Sequence, residues 1–258
     1  MPRIRTPESD EGRAQLLSKA TKTAAADAAA GRRYLPATVT TEIGDFLQDQ
    51  AGPPPVPGYN SKVLKLTSSR AALAREVSDS DAAEAVLETF MRDFWEVLKR
   101  RTFREKHSVA VLNYFDLPQD GTIPALSSRA DRHLWAEKIA AGEAQAVAAG
   151  FPPMANPSAA EVAAKLARAE TEAEQIVPKD REQELALEAV RAARPRAIEL
   201  VDDVIKELGH NLRKMADGTA RDIMRSYGVE YEFLPGETPD PTPAPTPIPA
   251  PAPPAGPP

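Results

Sequence analysis

The sequence predicts an all-α chain: an elongated antiparallel bundle of about four long helices, with a small helical insert and a proline-rich disordered C-terminal arm. Three observations carry this expectation. Apolar residues recur at steps of three and four over three long segments, two of them separated only by a short turn. Alanine and charge are plentiful while aromatic residues make up only 5% of the chain, a mixture that favours helix over sheet. From Pro239 to Pro253 nearly every second residue is proline, which neither helix nor sheet accommodates. The expected organisation is a bundle over residues 1–235, its insert over 108–153, and the arm over 236–258.

The first helix starts at the acidic turn after Pro7 and runs through Leu16, Leu17, Ala20 and Ala24 to about Gly31. A second spans Thr38 to Gln50, with Val39, Ile43, Phe46 and Leu47 on one side, and the prolines between Gly52 and Gly58 end it. The pattern resumes at Ser61 with Val63, Leu66, Leu73 and Val77 on one face, and the polar segment Ser78–Asp81 leaves its continuity with the next stretch open.

That next stretch, Asp81 to Lys106, carries the densest apolar stripe. Val86, Phe90, Phe94 and Val97 form one row and Leu87, Met91 and Leu98 a second. Asp81 with Glu84 reads as an N-terminal cap, and Glu88/Arg92 and Glu96/Arg100 are spaced as ion pairs on the opposite side. Cations crowd the far end, where the helix dipole favours them. A short helix follows over Ser108–Leu117, then a turn at PQDGTIP, then a helix from about Ser128 to Ala141 with Leu134, Trp135 and Ile139 buried, and a brief one to Ala149.

Asn156, Pro157, Ser158 and Glu161 make a strong helix start. Val162, Leu166, Ala169, Ala173 and Ile176 continue it until Pro178, where a turn is expected. The following helix, about Arg181 to Met215, is kinked at Pro195 and presents Ile198, Val201, Ile205, Leu208, Leu212 and Met215 as a coiled-coil-like seam. Thr219 to Tyr227 is a short helix closed by Gly228. Val229, Tyr231 and Phe233 alternate as a strand would, without an evident partner strand.

Function is much less legible. A net charge of -6 argues against a general nucleic-acid binder, and the absence of cysteine removes disulfides, thiolate metal sites and cysteine nucleophiles. No apolar leader and no membrane-length run is present, so the expected location is cytoplasmic, with no membrane partner. No phosphate-cradling glycine loop, nucleophile elbow or paired-histidine zinc motif occurs. One Glu-x-x-His pair, Glu207 and His210, falls on the outward side of its helix, and neither His107 nor His133 completes a second. No catalytic residue, metal or cofactor is therefore expected.

The expectation is a non-enzymatic structural or interaction protein, a scaffold, adaptor or assembly subunit whose helical face or arm reaches a protein partner or another copy. The alternative is an anion or nucleic-acid binding module built on the basic cluster Lys99, Arg100, Arg101, Arg104, Lys106 and His107.

Overall fold

The computed structural model describes residues 3–104 and 108–233, and within them the chain is all-α apart from one two-stranded ribbon. The predicted arm, with Lys106 and His107, lies outside the described residues. The chain forms two compact units, one from the residues up to Ser61 together with those from Ala193 onward, the other from Lys62 to Ala192.

In the first unit, α1 (Asp10–Ala29) begins where the Ser9 hydroxyl accepts a hydrogen bond from the Gly12 amide at 3.0 Å, and Asp10 and Glu11 sit at the positive end of its dipole. It buries Leu16, Leu17, Ala20 and Ala24, the face its spacing predicts. Helix α2 (Ala37–Leu47) buries Ile43 and Leu47. The proline segment then returns so closely against the end of α2 that a β-carbon at Gly58 would lie 2.4 Å from the Gln48 backbone, and only glycine fits there. Helix α3 (Tyr59–Lys99) starts at the next residue.

Two sequence expectations are corrected in this unit. Helix α5 (Ala159–Leu212) turns Ala193, Ala197, Leu200, Val201, Val204, Leu208 and Leu212 inward, leaving Ile198 and Met215 exposed. Small alanines occupy inner positions where neighbours approach closely, so a seam drawn through the largest side chains is rotated from the real one. The terminal strand does have a partner. After α6 (Asp217–Ser226) and the left-handed Gly228, β2 (Glu230–Glu232) pairs antiparallel with β1 (Arg3–Arg5). The register sets Arg3 opposite Glu232 and Arg5 opposite Glu230, opposite charges directly across the ladder.

The second unit is built on the rest of α3. Ser78–Asp81 is helical, so α3 is a single 41-residue helix, about 60 Å long at about 1.5 Å per residue. Asp81 and Glu84 are therefore not a cap but mid-helix residues. The buried row is Leu87, Met91, Phe94, Trp95 and Leu98, which at about 1.5–3 kcal/mol each supply a core contribution on the order of 10 kcal/mol. Phe90 and Val97 flank it and Val86 is exposed.

Against this row pack a 3-10 helix (Val109–Phe115) through Leu112 and Phe115, α4 (Arg129–Ala148) through Ala136 and Ile139, and the start of α5 through Val162 and Ala169. Phe115 meets Phe94 edge-on at 5.6 Å. Helix α4 is one helix, opened by the reciprocal cap of Ser128 and Asp131; Leu134, expected inside, is 49% exposed while small Ala136 and Gly142 face the core. A β-carbon at Gly142 would lie 2.5 Å from the Tyr114 carbonyl oxygen, so the 3-10 helix docks through the gap that glycine leaves.

The largest departure from expectation is α5, one helix of 54 residues that continues through Pro178, where a turn was expected, as well as through Pro195, which was expected inside a helix. Its start is as expected: the Ser158 hydroxyl accepts from the Glu161 amide and the Glu161 carboxylate accepts from the Ser158 amide. Continuity at Pro178 has a physical reason. Pro178 and Glu174 are exposed, so water can take the carbonyl left without its partner, while the helix is anchored by Val162 and Ala169 before the proline and by Ala186 and Val190 after it. One interior proline costs about 3 kcal/mol, less than abandoning those anchors. Pro178→Ala is expected to raise stability by about 1–2 kcal/mol, the helix gain being partly offset by the freer unfolded chain, and urea denaturation measures it. A loss of stability would mean the proline terminates something that the continuous helix does not contain.

Candidate functional site

Helical geometry distributes the basic cluster rather than concentrating it. Lys99 ends α3, and Arg100–Arg104 continue as a π-helical turn in which the buried Thr102 hydroxyl donates to the Leu98 carbonyl at 2.9 Å. Consecutive residues of a helical turn project in different directions, so adjacent cations address different surroundings. Lys99 lies 3.9 Å from Glu96. Arg100 lines a groove that also holds Asp93, Glu96 and Glu161. Arg101 donates to the Pro153 carbonyl at 2.8 Å, which ties the loop before α5 to the π turn. Arg104 is exposed. An anion arriving here meets three carboxylates around Arg100 and an Arg101 already engaged with backbone.

The same loop is held from the other side by Glu143 of α4. Its carboxylate accepts from the Met154 amide at 2.5 Å and from the Ala159 amide at 2.9 Å, placing a negative charge at the first turn of α5.

The most tightly built polar cluster in the second unit was not anticipated. Glu84, with its side chain 5% exposed, accepts from Arg132 Nε at 2.8 Å and pairs with Arg129 Nε at 2.9 Å and His133 Nε2 at 2.8 Å. Arg129 also donates to the buried Ser80 hydroxyl at 2.5 Å. The signal was present in the sequence as Arg129, Arg132 and His133, three basic groups on one face of a helix at steps of three and four, a pattern that asks for a buried acid opposite. Burial works to raise the Glu84 carboxyl, but the bonds from Arg132 and His133 and their charges outweigh it and hold the carboxyl below its ordinary range.

Asp10 in the first unit follows the same logic. Burial opposes its charge, while Arg194 with two bonds, at 2.9 and 2.7 Å, and Tyr59 with one at 3.1 Å keep it ionised. Burial first, then the Asp10 charge, pushes the Tyr59 phenol up. Asp27, which is buried, accepts from the Tyr227 hydroxyl at 2.8 Å and pairs with Arg32 at 2.8 Å. Asp10 and Glu84, held below their ordinary range, are poor proton acceptors, because taking a proton would sacrifice bonds already made. Among the described residues no group of three or more acids and histidines converges as a metal would require, and His210 of the Glu207 pair is exposed.

A different feature stands out on the long helices. Between Arg70 and Asp79 on α3, and between Glu170 and Leu185 on α5, no residue is buried. Large apolar side chains lie open in and beside these stretches: Leu64 is 70% exposed, Val177 72% and Leu185 57%, with Val77 beside them. All belong to the second unit. Among the described residues no helix is long and apolar enough to cross a membrane. Comparison of the chain with protein-family models, with curated proteins and with solved structures finds no match.

Proposed function

We propose that this chain is a non-enzymatic interaction protein, a scaffold, adaptor or assembly subunit, which binds a protein partner or a second copy of itself along its long helices. The observation that carries this reading is the run of α3 and of α5 without a buried residue, with Val77, Val177 and Leu185 in the open within it and Leu64 in the open beside it. Helices are held mainly by packing of an apolar face, so a stretch that buries none gains from a surface laid against it. The buried acids Asp27 and Glu84 and the partly buried Asp10 are all committed to internal bonds, which supports a structural rather than a catalytic use of the chain's ionisable groups. A cytoplasmic location belongs to the same reading.

Replacing Leu64, Val177 and Leu185 together with glutamate tests it. Exposed positions away from packing change stability by about 0.5 kcal/mol or less each, so the melting curve should hold. Wild type is expected to sediment above the 27.8 kDa of a monomer or to retain a protein partner by crosslinking, and the triple variant to lose both. Association that survives all three substitutions would sink the reading.

A further inference from the structure

Within the first unit, α1 and α2 border a groove of about 610 Å³, lined by Ala24 and Ala28 of α1, Gly44 and Leu47 of α2, and Tyr34 from the connection between them. Lys22, Arg32 and Arg33 also line it, and no carboxylate does. Arg32 is engaged by Asp27 at 2.8 Å, while Lys22 and Arg33 bring positive charge to an otherwise apolar and hydroxyl-bearing trough.

We infer that this groove receives the chain's own proline-rich segment, Pro239 to Pro253. Three observations favour that occupant. The chemistry matches: a proline-alternating segment loses little entropy on docking and is recognised by shallow apolar troughs with an aromatic wall, here alanines, a glycine and Tyr34. The charge matches: residues 234–258 contain Glu237 and Asp240 and no lysine or arginine, opposite a groove whose charged lining is wholly basic.

The reach also matches. Gly228 and Glu230 share a surface pocket with Lys19 of α1, whose ammonium bonds the Arg225 carbonyl at 3.1 Å. From Lys19 to Ala28 is nine residues of helix, about 14 Å. The 25 residues beyond Phe233 span up to about 75 Å when extended, far more than is needed. A segment tethered this close meets the groove at an effective concentration of about millimolar, so weak contacts suffice. The proposal goes beyond the interaction-protein reading and does not depend on it: it concerns α1 and α2, not the open stretches of α3 and α5.

The chain contains no cysteine, so Thr246→Cys gives one labelling site in the full-length protein. With a nitroxide there, the backbone amides of Ala24, Ala28, Thr41 and Gly44 are expected to lose intensity in the nitrogen-15 spectrum, and to recover on reduction of the label. Tyr34→Ala with Arg33→Glu should abolish the loss while the remaining amide shifts stay in place. If that variant does not fold, Lys22→Glu alone should weaken the loss. Mixing nitroxide-bearing chains with unlabelled nitrogen-15 chains separates the sources. Broadening only in the mixture means that a second copy's segment fills the groove, and overturns the proposal. Broadening that misses the groove, or none, overturns it equally.

Discussion

Trp95→Ala is expected to cost about 3–5 kcal/mol, the range for truncating a fully buried large aromatic, and Trp95→Phe to cost less than about half of that. Trp95 is fully buried among Met91, Phe94 and Leu98 and meets Trp135 edge-on at 6.0 Å. Alanine removes the whole ring from the densest part of that core. Phenylalanine keeps most of the ring and removes an atom that is a liability, since the buried Trp95 Nε1 has no hydrogen-bond partner. An N–H stripped of water without compensation costs about 1–3 kcal/mol, so its deletion offsets part of the smaller ring's lost contacts. Chemical denaturation followed through the remaining Trp135 measures both variants. Equal losses would show that the indole N–H is not the burden the structure implies.

The sequence revealed the fold class well because helices announce themselves locally. The three-four spacing of Leu16, Leu17, Ala20 and Ala24, the Ser158–Glu161 cap and the glycine at 228 each depend on neighbours a turn or so away, and all stand in the structure. What was missed depends on distant residues. β1 is three residues long and its partner lies more than two hundred positions away, so no local pattern could identify the pair. Asp81 and Glu84 resemble a cap in isolation; Arg129, Arg132 and His133 make Glu84 a buried mid-helix acid instead.

Pro178 misled for a related reason. Its local preference against helix is real, but anchors more than a turn away on both sides decide the outcome. The basic cluster shows the same limit in charge: five cations and a histidine within nine residues read as one patch in one dimension, and four of them face different neighbours in three. The open stretches of α3 and α5 were invisible for the opposite reason. Leu73, Val77 and Ile176 continue the core spacing there, and spacing alone cannot say that burial stops.

Glu84→Ala should cost about 3 kcal/mol at neutral pH, at the low end of the roughly 3–5 kcal/mol for breaking a buried pair, because Arg129 is partly exposed and recovers water while Arg132 does not. The pH dependence identifies the cause. The folded protein holds Glu84 below its ordinary value of 4.5, so the folded state binds fewer protons there than the unfolded chain does. That contribution is fully present above about pH 4.5 and is lost as the pH falls through the depressed folded value. Glu84→Gln, which keeps the shape and removes the charge, should therefore lie well below wild type at pH 7 and converge on it under acid. Asp10, also held below its ordinary 3.8, acts with the same sign in the other unit, so it leaves wild type and Glu84→Gln alike acid-sensitive and cancels in the difference. Urea unfolding of wild type and Glu84→Gln between pH 7 and pH 3 reads the gap directly. No gap at pH 7, or a gap that stays constant across that span, would mean that the ionisation of Glu84 is not what joins α3 to α4.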